Sequence, residues 1–105
     1  RRKHPRAPLK LKVTFRSPGA FAQAYTSSVG GGGVTIHTRR PMEEGQPLSL
    51  ALHLPGRTEP VYVKGRVVWC REGERSEVGI QFEGTDEATV DLFESVVLEA
   101  LIRGS

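Results

Sequence analysis

Leu9, Leu11, Val13 and Phe15 alternate with Lys10, Lys12, Thr14 and Arg16. A period of two puts the first set on one face of a strand and the second on the other, so this stretch predicts a half-buried strand with a basic outer surface. Ser17-Pro18-Gly19 supplies turn chemistry. Phe21 to Val29 reads as a second strand, which Gly30 to Gly33 break. Val34, Ile36 and Thr38 share one face of a short third strand. The stretch from Pro41 to Pro47, with Gly45, turns the chain again. Leu48, Leu50, Leu52 and Leu54 alternate with Ser49, Ala51 and His53 in a fourth strand, and Pro55-Gly56 opens the next turn. Val61, Val63, Val67 and Trp69 mark the inner face of a long fifth strand, which makes Trp69 a core residue and Gly65 the site of a bulge or bend. Arg71 to Glu77 predicts a charged hairpin loop. Val78, Ile80 and Phe82 form the inner face of a sixth strand, with Gly79, Gln81 and Glu83 outside.

The period then changes. Val90, Phe93, Val97 and Leu101 follow a helical stripe, flanked by Leu92 and Val96. Thr85 or Asp86 can cap the helix, Asp86, Glu87 and Asp91 suit the positive end of its dipole, and Gly104 can close it. Six short strands and one amphipathic helix predict a mainly β fold, a small barrel with a C-terminal helix packed on it. The expected layout is a single domain over 1–105: a basic arm at 1–8, a barrel at 9–83 and a helix at 86–103.

Charge sharpens this picture. The first sixteen residues carry seven positive charges (Arg1, Arg2, Lys3, Arg6, Lys10, Lys12 and Arg16) and no negative one. The remainder holds eight basic and twelve acidic residues, so the overall +3 hides a basic arm on a mildly acidic body. Such an arm suits phosphate or another acidic surface. One cysteine, Cys70, excludes an internal disulfide and a cysteine-based zinc site, and fits a reducing, cytoplasmic location. No apolar run approaches the roughly 20 residues of a membrane-spanning helix.

Few residues promise chemistry. Arg2 and Arg6 offer planar forks of donors that match phosphate oxygens and the O6/N7 edge of guanine. The same residues also fit a solvated basic tail. The run Thr26 to Gly33 can bring backbone N–H groups close to an anion. It lacks the Gly-Lys-Ser/Thr ending of a P-loop, and a strand follows it where a dinucleotide fingerprint needs a helix. By itself the run fits a flexible hairpin loop. His4, His37 and His53 share no metal-ligand spacing. Ser27 and Ser28 have no obvious base, and Cys70 has no flanking histidine, which points to a passive thiol. No acid–base pair assembles, so a binding module is expected and not an enzyme.

In order along the chain stand Arg2-to-Arg6 as an RxxxR arm, a Gly-rich turn at Ser28–Gly33, Thr38 with Pro41 and Gly45, Gly65-Arg66-Val67-Val68-Trp69, Gly79-Ile80-Gln81-Phe82 and a closing helix. This series resembles a PilZ domain over nearly the whole chain. The resemblance implies a six-stranded antiparallel β-barrel that binds cyclic di-GMP and passes the signal to a protein partner. It implies ligand contacts at Arg2 and Arg6, and on the barrel surface at the family's (D/N)xSxxG motif. That motif departs here. Aligned without gaps through Val34-Thr35-Ile36, its positions fall on Ser28, Gly30 and Gly33, so only the last glycine matches. A second register, Thr26, Ser28 and Gly31, keeps Ser and Gly but needs two extra residues before the third strand.

Serine is shorter than Asp or Asn, and glycine has no side chain to offer guanine. Loss of two base contacts at about 1–3 kcal/mol each lowers affinity by roughly tens- to thousands-fold. Two expectations follow from the resemblance: a cyclic di-GMP receptor with weakened or lost binding, with no other cofactor, or a ligand-independent adaptor for a protein of motility or secretion. A nucleic-acid-binding barrel using Lys10, Lys12 and Arg16 ranks below both, because that strand lacks outward aromatics for base stacking.

Overall fold

The computed structural model describes residues 6–17, 20–39, 42–73 and 76–103. Arg2, the turn at Pro18-Gly19, Pro41 and the closing Gly104 lie outside the described residues. Seven strands precede one helix: β1 (Arg6–Ala7), β2 (Lys12–Ser17), β3 (Ala20–Gly30), β4 (Gly33–Thr38), β5 (Pro47–Leu52), β6 (Val61–Arg71), β7 (Ser76–Glu83) and α1 (Glu87–Arg103). All pairings are antiparallel. Around the sheet the order is β3-β2-β5-β6-β7-β4, and β3 pairs with β4 to close the barrel. The extra strand, β1, pairs with β3 along the same edge as β2, beyond the end of β2, with Arg6 opposite Gly30 and Ala7 opposite Val29. Part of the arm read as a tail is therefore strand, because the uncovered end of β3 supplies backbone partners for it.

The period-two residues fill the barrel as predicted. Val13, Phe15, Ile36, Leu50, Leu52, Val67 and Val78 are buried, and so are Val29 and Val34. Thr26 and Thr38 are buried polar residues, and Thr26 is bonded to the chain before β2. Its Oγ1 accepts from the Leu11 amide at 2.8 Å and donates to the Leu9 carbonyl at 2.6 Å, while its own amide donates to the Leu11 carbonyl at 2.9 Å. One hydroxyl thus satisfies two backbone groups of the segment that joins β1 to β2.

Gly30 to Gly33 end one strand and open the next, as expected. Gly30 and Gly33 pair with each other, so β3 and β4 form a tight hairpin over the two-residue turn at Gly31-Gly32. Gly-Gly is a favoured dipeptide for such a turn. Two other expectations are corrected. Gly65 lies in the regular ladder, opposite Leu48 and Phe82, and the bulge falls instead between Val67 and Trp69. The extra residue, Val68, reverses the alternation, so Trp69 leaves the core and is 38% exposed on the outer face. Finally, Leu101 is exposed. The helix buries Phe93 and Val97 only, because it rests on β1 and β3 and its last turn runs past them. The Phe93 ring meets Phe82 at 5.1 Å between centroids.

Asp86 caps the helix, its Oδ1 accepting from the Thr89 amide at 2.8 Å. Hydrogen bonds from Thr89 hold the Asp86 carboxyl below its usual range. A depressed folded-state pKa means a contribution present above the unfolded value and lost as pH falls through the folded one. Asp86→Asn keeps an acceptor without the titration, so its helix should lose less stability than the parent's on acidification, as followed by far-UV circular dichroism. Thr26→Val keeps the shape but orphans the Leu11 amide and the Leu9 carbonyl. It should destabilise the fold by about 1–3 kcal/mol in urea unfolding.

Candidate ligand-binding site

The closing hairpin decides which side chains share the outer surface. Ser28 pairs with Thr35, Thr35 with Gly79 and Gly79 with Trp69, one row across β3, β4, β7 and β6. Arg6 reaches this row from β1. Its Nε donates to Ser28 Oγ at 3.0 Å and a terminal nitrogen donates to Thr35 Oγ1 at 3.3 Å. Bonds from a guanidinium to an ionised acceptor are roughly twice as strong as those to neutral hydroxyls such as these.

Gly79 shapes the far end. A Cβ there would stand 2.1 Å from Trp69 Nε1, so the indole lies directly over the glycine. Arg71 stacks beyond, its guanidinium carbon 5.8 Å from the ring centroid. Gly33 is held for a different reason. A Cβ on it would meet the Ile80 carbonyl oxygen at 2.2 Å, because β7 passes close to the hairpin.

The neighbouring row runs Tyr25, His37, Glu77 and Arg71. Lys10 Nζ sits 4.9 Å from the Tyr25 ring centroid. Glu77 faces His37 Nε2 at 3.7 Å and takes a bond from Arg71 at 3.3 Å. Arg6, Lys10 and Arg71 thus stand on these two rows beside the single carboxylate of Glu77, and the surface favours an anionic ligand.

Of the predicted site residues, Arg6, Ser28, Gly30 and Gly33 come together on this face, and Arg2 lies outside the described residues. Thr26 is buried and bonded to the chain at Leu9 and Leu11, so the first position of the second register does not reach the surface. Thr35 was missed, because its place beside Ser28 and Gly79 comes from pairing across the sheet. Trp69 was misassigned because a bulge leaves no mark in the alternation. Cys70 is a hydrogen-bonded thiol, its Sγ 3.2 Å from the Met42 carbonyl. Burial pushes its pKa up, and Glu44 and Glu72 add to the shift, which favours the protonated thiol. Among the described residues no group of three His, Cys, Asp or Glu side chains can hold a metal ion.

The family model of the PilZ domain matches residues 1–99. Solved structures agree in fold. The Bacillus subtilis inhibitor of motility MotI is 12% identical with a TM-score of 0.89, covering all of this chain and 53% of its own. The PilZ domain of Escherichia coli YcgR with cyclic di-GMP is 12% identical with a TM-score of 0.79, covering 99% of this chain and 94% of its own. The Klebsiella pneumoniae MrkH–cyclic di-GMP complex is 15% identical with a TM-score of 0.76, covering 99% and 54%. This chain spans about half the length of MotI and MrkH. No curated protein sequence matches it. The chain belongs to the PilZ domain family.

Trp69 is the only tryptophan of the chain and reports directly on this face. Gly79→Ala should lift the indole off the sheet, red-shifting and broadening its emission, while far-UV circular dichroism stays unchanged. Emission identical to the parent would contradict the packing of the indole on Gly79.

Proposed function

We propose that this PilZ domain is a cytoplasmic, non-catalytic regulatory module that takes cyclic di-GMP weakly on the face around Arg6 and relays its presence to a protein partner. The observation that carries the reading is the aim of Arg6. The second arginine of the RxxxR arm already points at Ser28, where the family motif begins. In this reading Arg2 and Arg6 hold phosphate oxygens and guanine edges, Ser28, Gly30 and Gly33 form the platform, and Trp69 offers a flat apolar surface for a base. The similarity to YcgR and MrkH, both solved with cyclic di-GMP, supports the choice of ligand.

The weakness has a physical cause. Ser28 and Gly30 stand where the motif carries Asp or Asn and Ser, and missing base contacts at about 1–3 kcal/mol each lower affinity strongly. Arg6 must also leave two hydroxyls to meet the ligand. That exchange links the site to a partner surface. Arg6 lies on β1, the helix rests on β1, and a shift of Arg6 therefore bears on α1.

A ligand-independent adaptor is the second reading, favoured by the same altered motif and by the internal bonding of Arg6. Calorimetric titration with cyclic di-GMP, with GMP as control, separates the two. We expect weak saturable binding, its loss in Arg6→Glu, and a gain of about tenfold or more in Ser28→Asn, which restores a motif side chain. Unchanged affinity in Arg6→Glu would sink the receptor reading. No heat from folded parent and Ser28→Asn alike would leave the adaptor.

A further inference from the structure

The barrel is not sealed along its whole height. β3 pairs with β2 from Ala20 to Tyr25, but with β4 only from Tyr25 onward. Past the Tyr25–His37 pair the two strands part. Among the described residues, Ala22, Gln23 and Ala24 have no strand partner on the β4 side. A groove of about 960 Å³ opens there, lined by Lys10, Ala22, Ala24, Tyr25, His37 and Arg39 among others.

Exposed strand edges are usually defended by charged side chains or proline, since their unpaired N–H and C=O groups invite another strand. β3 has no such defence. Its sequence, AFAQAYTSSVG, contains no charged residue and no proline. The small side chains of Ala22 and Ala24 leave the floor of the groove open. The charges lie on the walls and are of one sign. Lys10 and Arg39 are cationic, and no carboxylate lines the groove among the described residues.

We propose that this edge of β3 is a docking site for an extended, acidic segment of a protein partner, which adds to the sheet as a strand. Its backbone would bond to the N–H and C=O of Gln23, which face the groove while those of Ala22 and Ala24 face β2, and its outward carboxylates would lie against Lys10 and Arg39. Residues 20–24 extend over about 17 Å, enough for a short added strand. A second copy of this chain suits the edge less well, because edge-to-edge pairing would bring Lys10 and Arg39 of both copies together. The site does not depend on nucleotide binding. The two do share a wall, since Lys10 belongs to the segment that leads from Arg6 into β2.

The test uses a labelled, end-blocked peptide of seven residues alternating glutamate and valine, followed by fluorescence anisotropy and amide hydrogen exchange. Expected are saturable binding and exchange slowed about tenfold or more at the groove-facing amide of Gln23. A lysine–valine peptide and a backbone N-methylated glutamate–valine peptide should each bind at least about tenfold more weakly. Lys10→Glu with Arg39→Glu, both exposed positions, should invert the preference between the acidic and basic peptides without altering circular dichroism. Absence of binding would overturn the proposal, as would equal binding of the N-methylated peptide. So would protection of this amide by self-association in sedimentation runs without peptide, or by cyclic di-GMP when the peptide gives none.

Discussion

The pairing of β3 with β4 across the Gly31-Gly32 turn is the constraint on which the rest of the structure depends. It closes six strands into a barrel and so shields the inner faces of β3 and β4 from water. It sets Ser28 opposite Thr35, which makes a two-hydroxyl seat for Arg6. It also stops early. Beyond Tyr25 and His37 the strands diverge, leaving a groove where a fully zipped hairpin would have left none. The glycine run that looked like a flaw in the strand pattern is the joint that permits all three. At Gly33 even a methyl group would strike the carbonyl of Ile80, so close packing, and not looseness, is the condition met there.

On the outer face Arg6, a permanent cation, donates to the hydroxyls of Ser28 and Thr35. Glu77 is the one carboxylate in the two rows beside it, and it is engaged with Arg71 and His37. A surface so arranged attracts phosphate, yet holds little that discriminates one base from another. Under the proposed reading, this separates charge attraction by Arg6 from base recognition, which would have only Ser28 and Gly30 to draw on.

β1 gives the site a route to the rest of the molecule. It is only two residues long, lies between β3 and α1, and carries Arg6 on one side and buried Ala7 on the other. Thr26, through Leu9 and Leu11, fastens the chain directly after it. The arm is thus anchored behind the arginine, which limits how far a bound ligand can pull it.

The barrel strands and helix were legible in the chain because burial on one face imposes a period, and Leu50, Leu52, Val78 and Ile80 keep that period without interruption. The arm's charge, the RxxxR spacing and the altered motif at Ser28, Gly30 and Gly33 are properties of the sequence and needed no fold to be seen. Three features needed the tertiary structure. Trp69 turned outward through a bulge, which is a matter of pairing between two strands and leaves no periodic trace. Thr35 joined the site only through its neighbours across the sheet. The open edge of β3 arises because two strands part company, and unpaired backbone groups look the same in sequence as paired ones. Local pattern determines which face of a strand is buried; the register between strands decides which outward side chains meet.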